Sequence, residues 1–325
     1  METKKSANKF SITAAVLADR NYIVPALATC AGLKSYFQKT VLIFVSDPNS
    51  IQAIELLRDF LRRPAFFGID VVVVNEFLPK FSHAHFNQSI VYKLLVPEII
   101  GKGCDAIVLF DAGIVPSGNF NIYVDELNKV SEEILANGNI MGCYVHEINS
   151  PINIEVAAES KMKGWLLDNS YPSGVLLVFN NSSRRREVFE HLIQSYQRHI
   201  SRLGYADQEL IMLSFERFMV KKIATEGIIL PLFLSLNFDS WESWNQRKLT
   251  DAAWWKVCGS VKPWKHWCLD PNRIYYLNEL RKYFDDSLFS SYNPIIQDFF
   301  WSGNSEFLKV GAESFSKNIN KFFNL

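Results

Sequence analysis

Neither sign of charge predominates in this sequence: 34 Lys and Arg residues are matched by 34 Asp and Glu. General nucleic-acid binders carry a marked basic excess to neutralise phosphates, so the balance argues against that class. Cysteine is scarce as well. Cys30, Cys104, Cys143, Cys258 and Cys268 are odd in number and include no Cys-x-x-Cys pair. Neither a zinc ribbon nor a disulfide framework is therefore indicated, and a reducing, cytoplasmic compartment fits. No uninterrupted apolar run reaches the roughly 20 residues that a membrane-crossing helix needs. Lys4, Lys5 and Lys9 ahead of the short apolar run Ser11 to Ala18 have the look of a signal peptide. That run leads directly into Asp19-Arg20-Asn21-Tyr22, however, and a first buried strand is the better reading. Gly-x-Gly-x-x-Gly, a phosphate loop ending in Gly-Lys-Ser or Gly-Lys-Thr, and Gly-x-Ser-x-Gly are all missing, which removes the usual support for dehydrogenases, nucleotide triphosphatases and serine hydrolases. Internal repeats and low-complexity linkers are missing too.

What is present is material for a large core. The 325 residues are 48% hydrophobic, enough for one large α/β domain or two small ones. Eight Trp, 12 Tyr and 25 Phe point to core packing first, and then to stacking surfaces, an interface or a membrane-facing edge. Short β-branched runs at Ser11 to Leu17, Val41 to Ser46, Val71 to Val74 and Ile107 to Phe110 read as strands buried on both faces. Helical patterns at Pro25 to Tyr36, Ile51 to Leu61 and Ser89 to Ile100 separate them. Strict alternation predicts right-handed crossovers and a mostly parallel sheet. Further on, Gly174 to Phe179 reads as a strand, Arg185 to His199 and Gln208 to Phe218 as helices, and Trp241 to Trp267 is rich in Trp. One domain with C-terminal elaborations is preferred to two.

Ligands of such sheets bind beyond the carboxyl ends of the strands. Two of those ends are Ala18-Asp19 and Phe110-Asp111-Ala112-Gly113. Asp111 followed by two small residues places a carboxylate where a ligand can approach the backbone closely, although a helix-capping or turn aspartate fits equally well. Lys256 to Trp264 sets Gly259 between Lys256 and Lys262 and closes on Pro263-Trp264. Such a segment can wrap around an anion, while a solvated basic turn is the commoner use of a lysine pair. His146, His191 and His199 have no partners at metal-ligand spacing, so core or solvated roles suit them better.

The ordered set Asp19-Arg20-Asn21-Tyr22, Tyr92-Lys93-Leu94-Leu95-Val96-Pro97-Glu98, Val108 to Gly113, Ser173-Gly174-Val175-Leu176-Leu177, Asp207-Gln208-Glu209 and Gly259 to Trp264 resembles family 8 glycosyltransferases. That family includes bacterial lipopolysaccharide galactosyl- and glucosyltransferases and glycogenin. The match runs from about Ser11 to Trp264. It implies the GT-A fold, a nucleotide-binding α/β sheet, over residues 10–270 and a helical C-terminal extension over 271–325. It also implies retaining transfer of a hexose from a UDP-sugar to a glycan or glycolipid, in lipopolysaccharide or capsule synthesis. By this resemblance Asp19 accepts from the uracil imide, Tyr22 stacks on the base and Asn21 holds their loop. Lys93 replaces the family's usual Arg near the diphosphate and the acidic cluster. Asp111 is the first Asp of the Asp-x-Asp motif, and Gly174 belongs to the donor-binding strand. Asp207 and Gln208 stand beside the transferred sugar. Gly259 and Lys262 belong to the diphosphate-binding His-x-x-Gly-x-x-Lys-Pro-Trp signature.

Three departures matter. Gly113 stands where the family has its second metal-binding Asp, Lys256 where it has its metal-binding His, and Pro172 at or near the family's Asn. The family site holds two Asp, a divalent cation, a neutral His and one Lys, a net charge of +1. Asp111 with Lys256 and Lys262 also comes to +1. The expectation is therefore transfer without a metal ion or other cofactor, Lys256 and Lys262 neutralising the leaving diphosphate and Asp207 or Gln208 facing the sugar. A catalytically inactive GT-A protein that binds a nucleotide-sugar or glycan is the alternative. A nucleotidyltransferase is a weaker rival, since Asp19 to Tyr22 is not the glycine- and arginine-rich loop it would use. Acceptor contacts are expected from the polar-aromatic stretches His83 to Gln88 and Trp241 to Trp255, although Trp clusters more often serve packing. Leu308, Ala312, Phe315, Ile319 and Phe322 form one apolar stripe at helical spacing, with Lys309, Lys317 and Lys321 off it. Docking on the domain is slightly favoured over contact with a membrane surface, so the expected location is the cytoplasm, with a peripheral membrane position as the second option.

Overall fold

The computed structural model describes residues 10–78, 88–116, 120–147, 154–167, 170–181, 185–204, 206–223, 229–233, 254–258, 280 and 282–284. Four strands open the chain's main sheet: β1 (Ile12–Ala18), β2 (Lys39–Ser46), β3 (Ile69–Asn75) and β4 (Ala106–Asp111). Every residue of β1 is buried, as expected of a strand covered on both faces. Its side chains divide with period two. Ala14, Val16 and Ala18 enter one core, which also takes in α1 (Ile23–Leu33) and α2 (Ile51–Leu61), while Ala15 and Leu17 enter the other. Ala53, Leu56, Leu57 and Phe60 are the buried residues of α2, one stripe at the helical repeat.

The sheet has seven strands in the order β3-β2-β1-β4-β7-β6-β8, where β6 is Met141–Glu147, β7 is Ser170–Asn180 and β8 is Val220–Ile223. Only β7 runs against the rest: it pairs antiparallel with both β4 and β6, and all other pairs are parallel. A second sheet of three strands has the order β5-β10-β9, from β5 (Ile114–Pro116), β9 (Ile229–Phe233) and β10 (Trp254–Cys258). Because β5 begins three residues after β4 ends, this small sheet starts at the carboxyl edge of the large one.

Two expected helices differ. Ser89 to Ile100 is a 3-10 stretch over Gln88–Leu95 followed by the short α3 (Val96–Ile100). Pro97 in the first turn of α3 explains the break: proline lacks an N–H and disfavours helical backbone in the residue before it. Gln208 to Phe218 is α7 (Ala206–Ser214) followed by a separate turn at Arg217–Met219. There the backbone takes other partners. The Trp165 indole donates to the Phe215 carbonyl at 2.8 Å, and the Arg217 N–H donates to the Lys163 carbonyl at 2.9 Å. The helix expected at Arg185 to His199 is α6 (Arg185–His199), and α4 (Phe120–Ala136) and α5 (Ile154–Met162) complete the helices of six or more residues among those described. None of the helices in the described residues is long and apolar enough to cross a membrane. The stretch His83 to Asn87, the Trp-rich stretch apart from β10, and the C-terminal stripe lie outside the described residues.

Leu280 and Phe284 join the first of the two cores. The Phe284 ring meets Phe60 of α2 edge-on at 5.2 Å between centroids and Phe66 at 5.1 Å. Truncating so buried an aromatic leaves a cavity as well as losing its transfer energy. Phe284→Ala should therefore cost about 3 to 5 kcal/mol in urea unfolding. A loss below about 1 kcal/mol would show that this segment is not part of the core.

Candidate functional site

The carboxyl ends of β1 and β4 lie side by side, with Leu17 opposite Asp111 in register. The chain beyond β1 turns at once, the Tyr22 N–H closing onto the Asp19 carbonyl at 3.0 Å, and Tyr22 stands just ahead of α1. Asp19 is buried, and each of its oxygens is held: Oδ1 accepts the Asn21 N–H and Oδ2 accepts the Ser89 hydroxyl, both at 2.8 Å. Burial pushes its carboxyl above the ordinary value, against the lowering effect of the Ser89 and Asn21 hydrogen bonds and the Arg20 charge. Tyr22 is half-buried. Burial, and then the negative charges of Asp19 and Asp111, hold its phenol well above the usual range, so it is neutral throughout ordinary pH.

Lys93 is the centre of the site. Its ammonium is buried and lies 2.5 Å from Asp111 Oδ1 and 3.4 Å from Asp207 Oδ2, and it donates to the Gly174 carbonyl at 3.3 Å. Burial alone would lower its pKa; the Asp111 and Asp207 carboxylates outweigh that and raise it above the ordinary lysine value. Three elements must converge to build this arrangement. Asp111 ends β4, Lys93 comes from the 3-10 stretch, and Asp207 opens α7, where the helix dipole favours a carboxylate. The Gln208 N–H donates to Asp207 Oδ1 at 3.1 Å and helps fix it.

Gly174 makes the convergence sterically feasible. A Cβ at that position would lie 1.8 Å from Asp207 Oδ2, closer than any real contact. The strand is irregular here: the β6–β7 register jumps from Cys143↔Leu177 to Tyr144↔Ser173, so Gly174 to Leu176 bulge away from β6. Freed from that ladder, the Gly174 carbonyl turns to Lys93. Glu209, two residues after Asp207, points elsewhere as the helical spacing requires; its carboxylate is buried and accepts the Gly204 N–H. Gly113 has φ +85°, a left-handed conformation natural to glycine, and its N–H donates to the Thr29 hydroxyl at 3.2 Å. Lys256 lies on β10 opposite Ile114 of β5, one residue beyond Gly113, so the backbone register brings it to the Asp111 edge. Gly259 and Lys262 lie outside the described residues.

Asp111 is taken by the Lys93 ammonium, Gly113 offers no side-chain ligand, and no cluster of three or more His, Cys, Asp or Glu side chains suited to a metal occurs among the described residues. Ser89 and Thr29 are site residues that the sequence pattern does not reveal. Each acts on a partner about 70 or more positions away, with no spacing to betray it.

No protein-family model matches the chain, and no curated protein sequence matches it significantly. Solved structures do. The galactosyltransferase LgtC in complex with donor and acceptor sugar analogues superposes with a TM-score of 0.55 at 17% identity, over 83% of this chain and 95% of that one. An active-site variant of LgtC gives 0.54 at 16% identity over the same shares. The bifunctional glycosyltransferase WbbM gives 0.50 at 13% identity, over 85% of this chain and half of that one. The fold is thus the GT-A type of these glycosyltransferases.

The buried lysine carries a consequence for stability. Lys93→Met leaves Asp111 and Asp207 without their shared cation and should cost about 3 to 5 kcal/mol at pH 7. With its pKa raised, Lys93 contributes fully below the unfolded lysine value and loses that contribution only as pH rises through the folded one, so its own titration leaves the wild type unaffected at neutral and acid pH. The gap between variant and wild type should then narrow on acidification, as the abandoned carboxylates take up protons. Urea melts at pH 7 and pH 4.5 test this; a gap that stays constant would mean that the pairing is not what the variant lost.

Proposed function

We propose that this chain is a retaining glycosyltransferase that moves a hexose from a UDP-sugar to a glycan or glycolipid acceptor without a metal ion. The observation that carries the reading is the meeting of Asp19, Tyr22, Lys93, Asp111, Gly174 and Asp207 at one carboxyl edge of a GT-A sheet. Asp19 is the acceptor for the uracil imide N–H, and the neutral Tyr22 ring stacks on the base. The likeness to LgtC, whose complex holds donor and acceptor sugar analogues, supports this use of the edge.

Departure of UDP creates an oxocarbenium-like sugar and an anionic diphosphate, so opposite charges must be stabilised a few ångströms apart. Asp207 or the amide oxygen of Gln208 faces the sugar. Asp111, Asp207 and Lys93 together carry one excess negative charge, which disfavours a diphosphate unless further cations stand nearby. Lys93 and Asp207 cancel, leaving Asp111 against Lys256 and Lys262, a balance of +1. Those two lysines serve the leaving group as preorganised cations. Attack by the acceptor hydroxyl on the face from which UDP leaves gives retention without a protein nucleophile.

Gly113 in place of a metal-binding Asp is the observation that favours the second reading, an inactive protein that binds a nucleotide-sugar or glycan. A donor screen with detection of released UDP separates the two. UDP affinity should persist in excess EDTA with no gain from manganese; a strict manganese requirement defeats the charge-replacement idea. Lys256→Ala should weaken binding or rate by about 1.5 to 3 kcal/mol, the scale of one charge-assisted hydrogen bond. Gly113→Asp with Lys256→His rebuilds the family's ligand set, at a backbone cost of about 1 to 2 kcal/mol for a side chain at φ +85°. A manganese response in that double variant is the expected result. An inert variant beside an inactive wild type favours the binding protein.

A further inference from the structure

We infer that Ser89 sets the base preference of the pocket: by donating its hydroxyl to Asp19 Oδ2 it keeps that carboxylate an acceptor, so that uridine is accepted and cytidine refused. The inference rests on the donor reading above and names what enforces its base specificity.

Asp19 sits directly after β1 with its carboxylate buried. Its two oxygens are pinned from different directions, by a backbone N–H two residues on and by a hydroxyl 70 residues away in the 3-10 stretch. The Asn21 N–H belongs to the local turn and is present whatever the side chains are. Ser89 is a side-chain partner that a substitution can remove. Uracil presents an N–H at the imide position and requires an acceptor there, whereas cytosine presents a ring nitrogen that requires a donor. A carboxylate meets the first requirement and a carboxylic acid the second, so the proton on Asp19 decides which base fits.

Burial drives Asp19 toward the neutral acid, and the Ser89 hydrogen bond is the largest of the influences that oppose it. Asn21 and the Arg20 charge assist, and the Asp47 charge works the other way. Arg20 is partly engaged by Asp47, with Nε 3.6 Å from Oδ2. Tyr22, another titratable neighbour, stays neutral and contributes no charge. Without the Ser89 hydroxyl the acid form gains, and so does cytidine. The same 3-10 stretch supplies Lys93, so one segment places both the group that tunes the base pocket and the cation of the acidic cluster.

The test titrates UDP and CDP calorimetrically against wild type and Ser89→Ala between pH 5 and pH 8. Ser89→Ala removes one oxygen atom, and its thermal melt checks folding. The wild type should prefer UDP, with the preference narrowing as pH falls. Ser89→Ala should narrow it by about tenfold at a given pH and move the narrowing to higher pH. Asp19→Asn should abolish the pH dependence of the preference in both backgrounds, because an amide does not titrate. An unchanged UDP-to-CDP ratio and pH profile in folded Ser89→Ala overturns the inference, and so does an equal weakening of both nucleotides. Failure of the wild type to bind UDP at all overturns the donor reading itself, an outcome distinct from either.

Discussion

A buried ammonium between two carboxylates is the constraint around which this fold closes. Taking Lys93 out of water costs several kcal/mol, and the cost is recovered only with Asp111 and Asp207 in place and the Gly174 carbonyl accepting a hydrogen bond. Those partners belong to three separate elements. The end of β4, the bulge of β7 and the first turn of α7 must all lie within a few ångströms of one nitrogen. Loss of any one leaves an uncompensated charge in a dry place, a heavier penalty than loss of an apolar contact of similar size. The glycine at 174, the bulge that frees its carbonyl and the interrupted helix that carries Lys93 are conditions of that meeting.

The reversed strand explains how such distant residues come together. In a wholly parallel sheet the carboxyl edge is furnished by loops that follow strands. Because β7 runs against β4, with Leu176 opposite Phe110, its earlier residues Ser173 and Gly174 extend past the end of β4 and stand beside Asp111. A strand gives a stiffer wall than a loop does. Asp207 can then be delivered by α7 onto a backbone already fixed on one side by β4 and interrupted on the other by the bulge.

Legibility in the sequence followed burial. The strands covered on both faces, β1, β2 and β4, announce themselves as unbroken apolar runs, and the carboxylates at two of their ends are visible for the same reason. Lys93 is also legible, as a single charge inside an otherwise apolar run from Ile90 to Val96, a position that demands partners. Its pairing with Asp111 and Asp207 is not, because topology brings the three together and no local period encodes it. Pro97 could have divided Ser89 to Ile100 into two pieces, yet the apolar spacing of that stretch favours one helix. Ser89 and Thr29 leave no trace, since a serine or threonine is ordinary in either position until the residue it bonds is known.

The second sheet has its own logic in terms of charge. Asp111, Asp207 and Lys93 together carry one negative charge in excess, so these three do not by themselves attract a diphosphate. Any anion held there needs cations brought from outside the large sheet. β5 leaves that edge immediately after the turn at Ala112 and Gly113, and its pairing with β10 carries Lys256 to the level of Ile114. Under the proposed function the small sheet therefore delivers positive charge to a site whose own lysine is already committed. Two different jobs for two lysines follow. Lys93, buried and doubly paired, holds the carboxylates in place, and under that proposal Lys256, brought in on a separate sheet, is the one whose charge serves the donor.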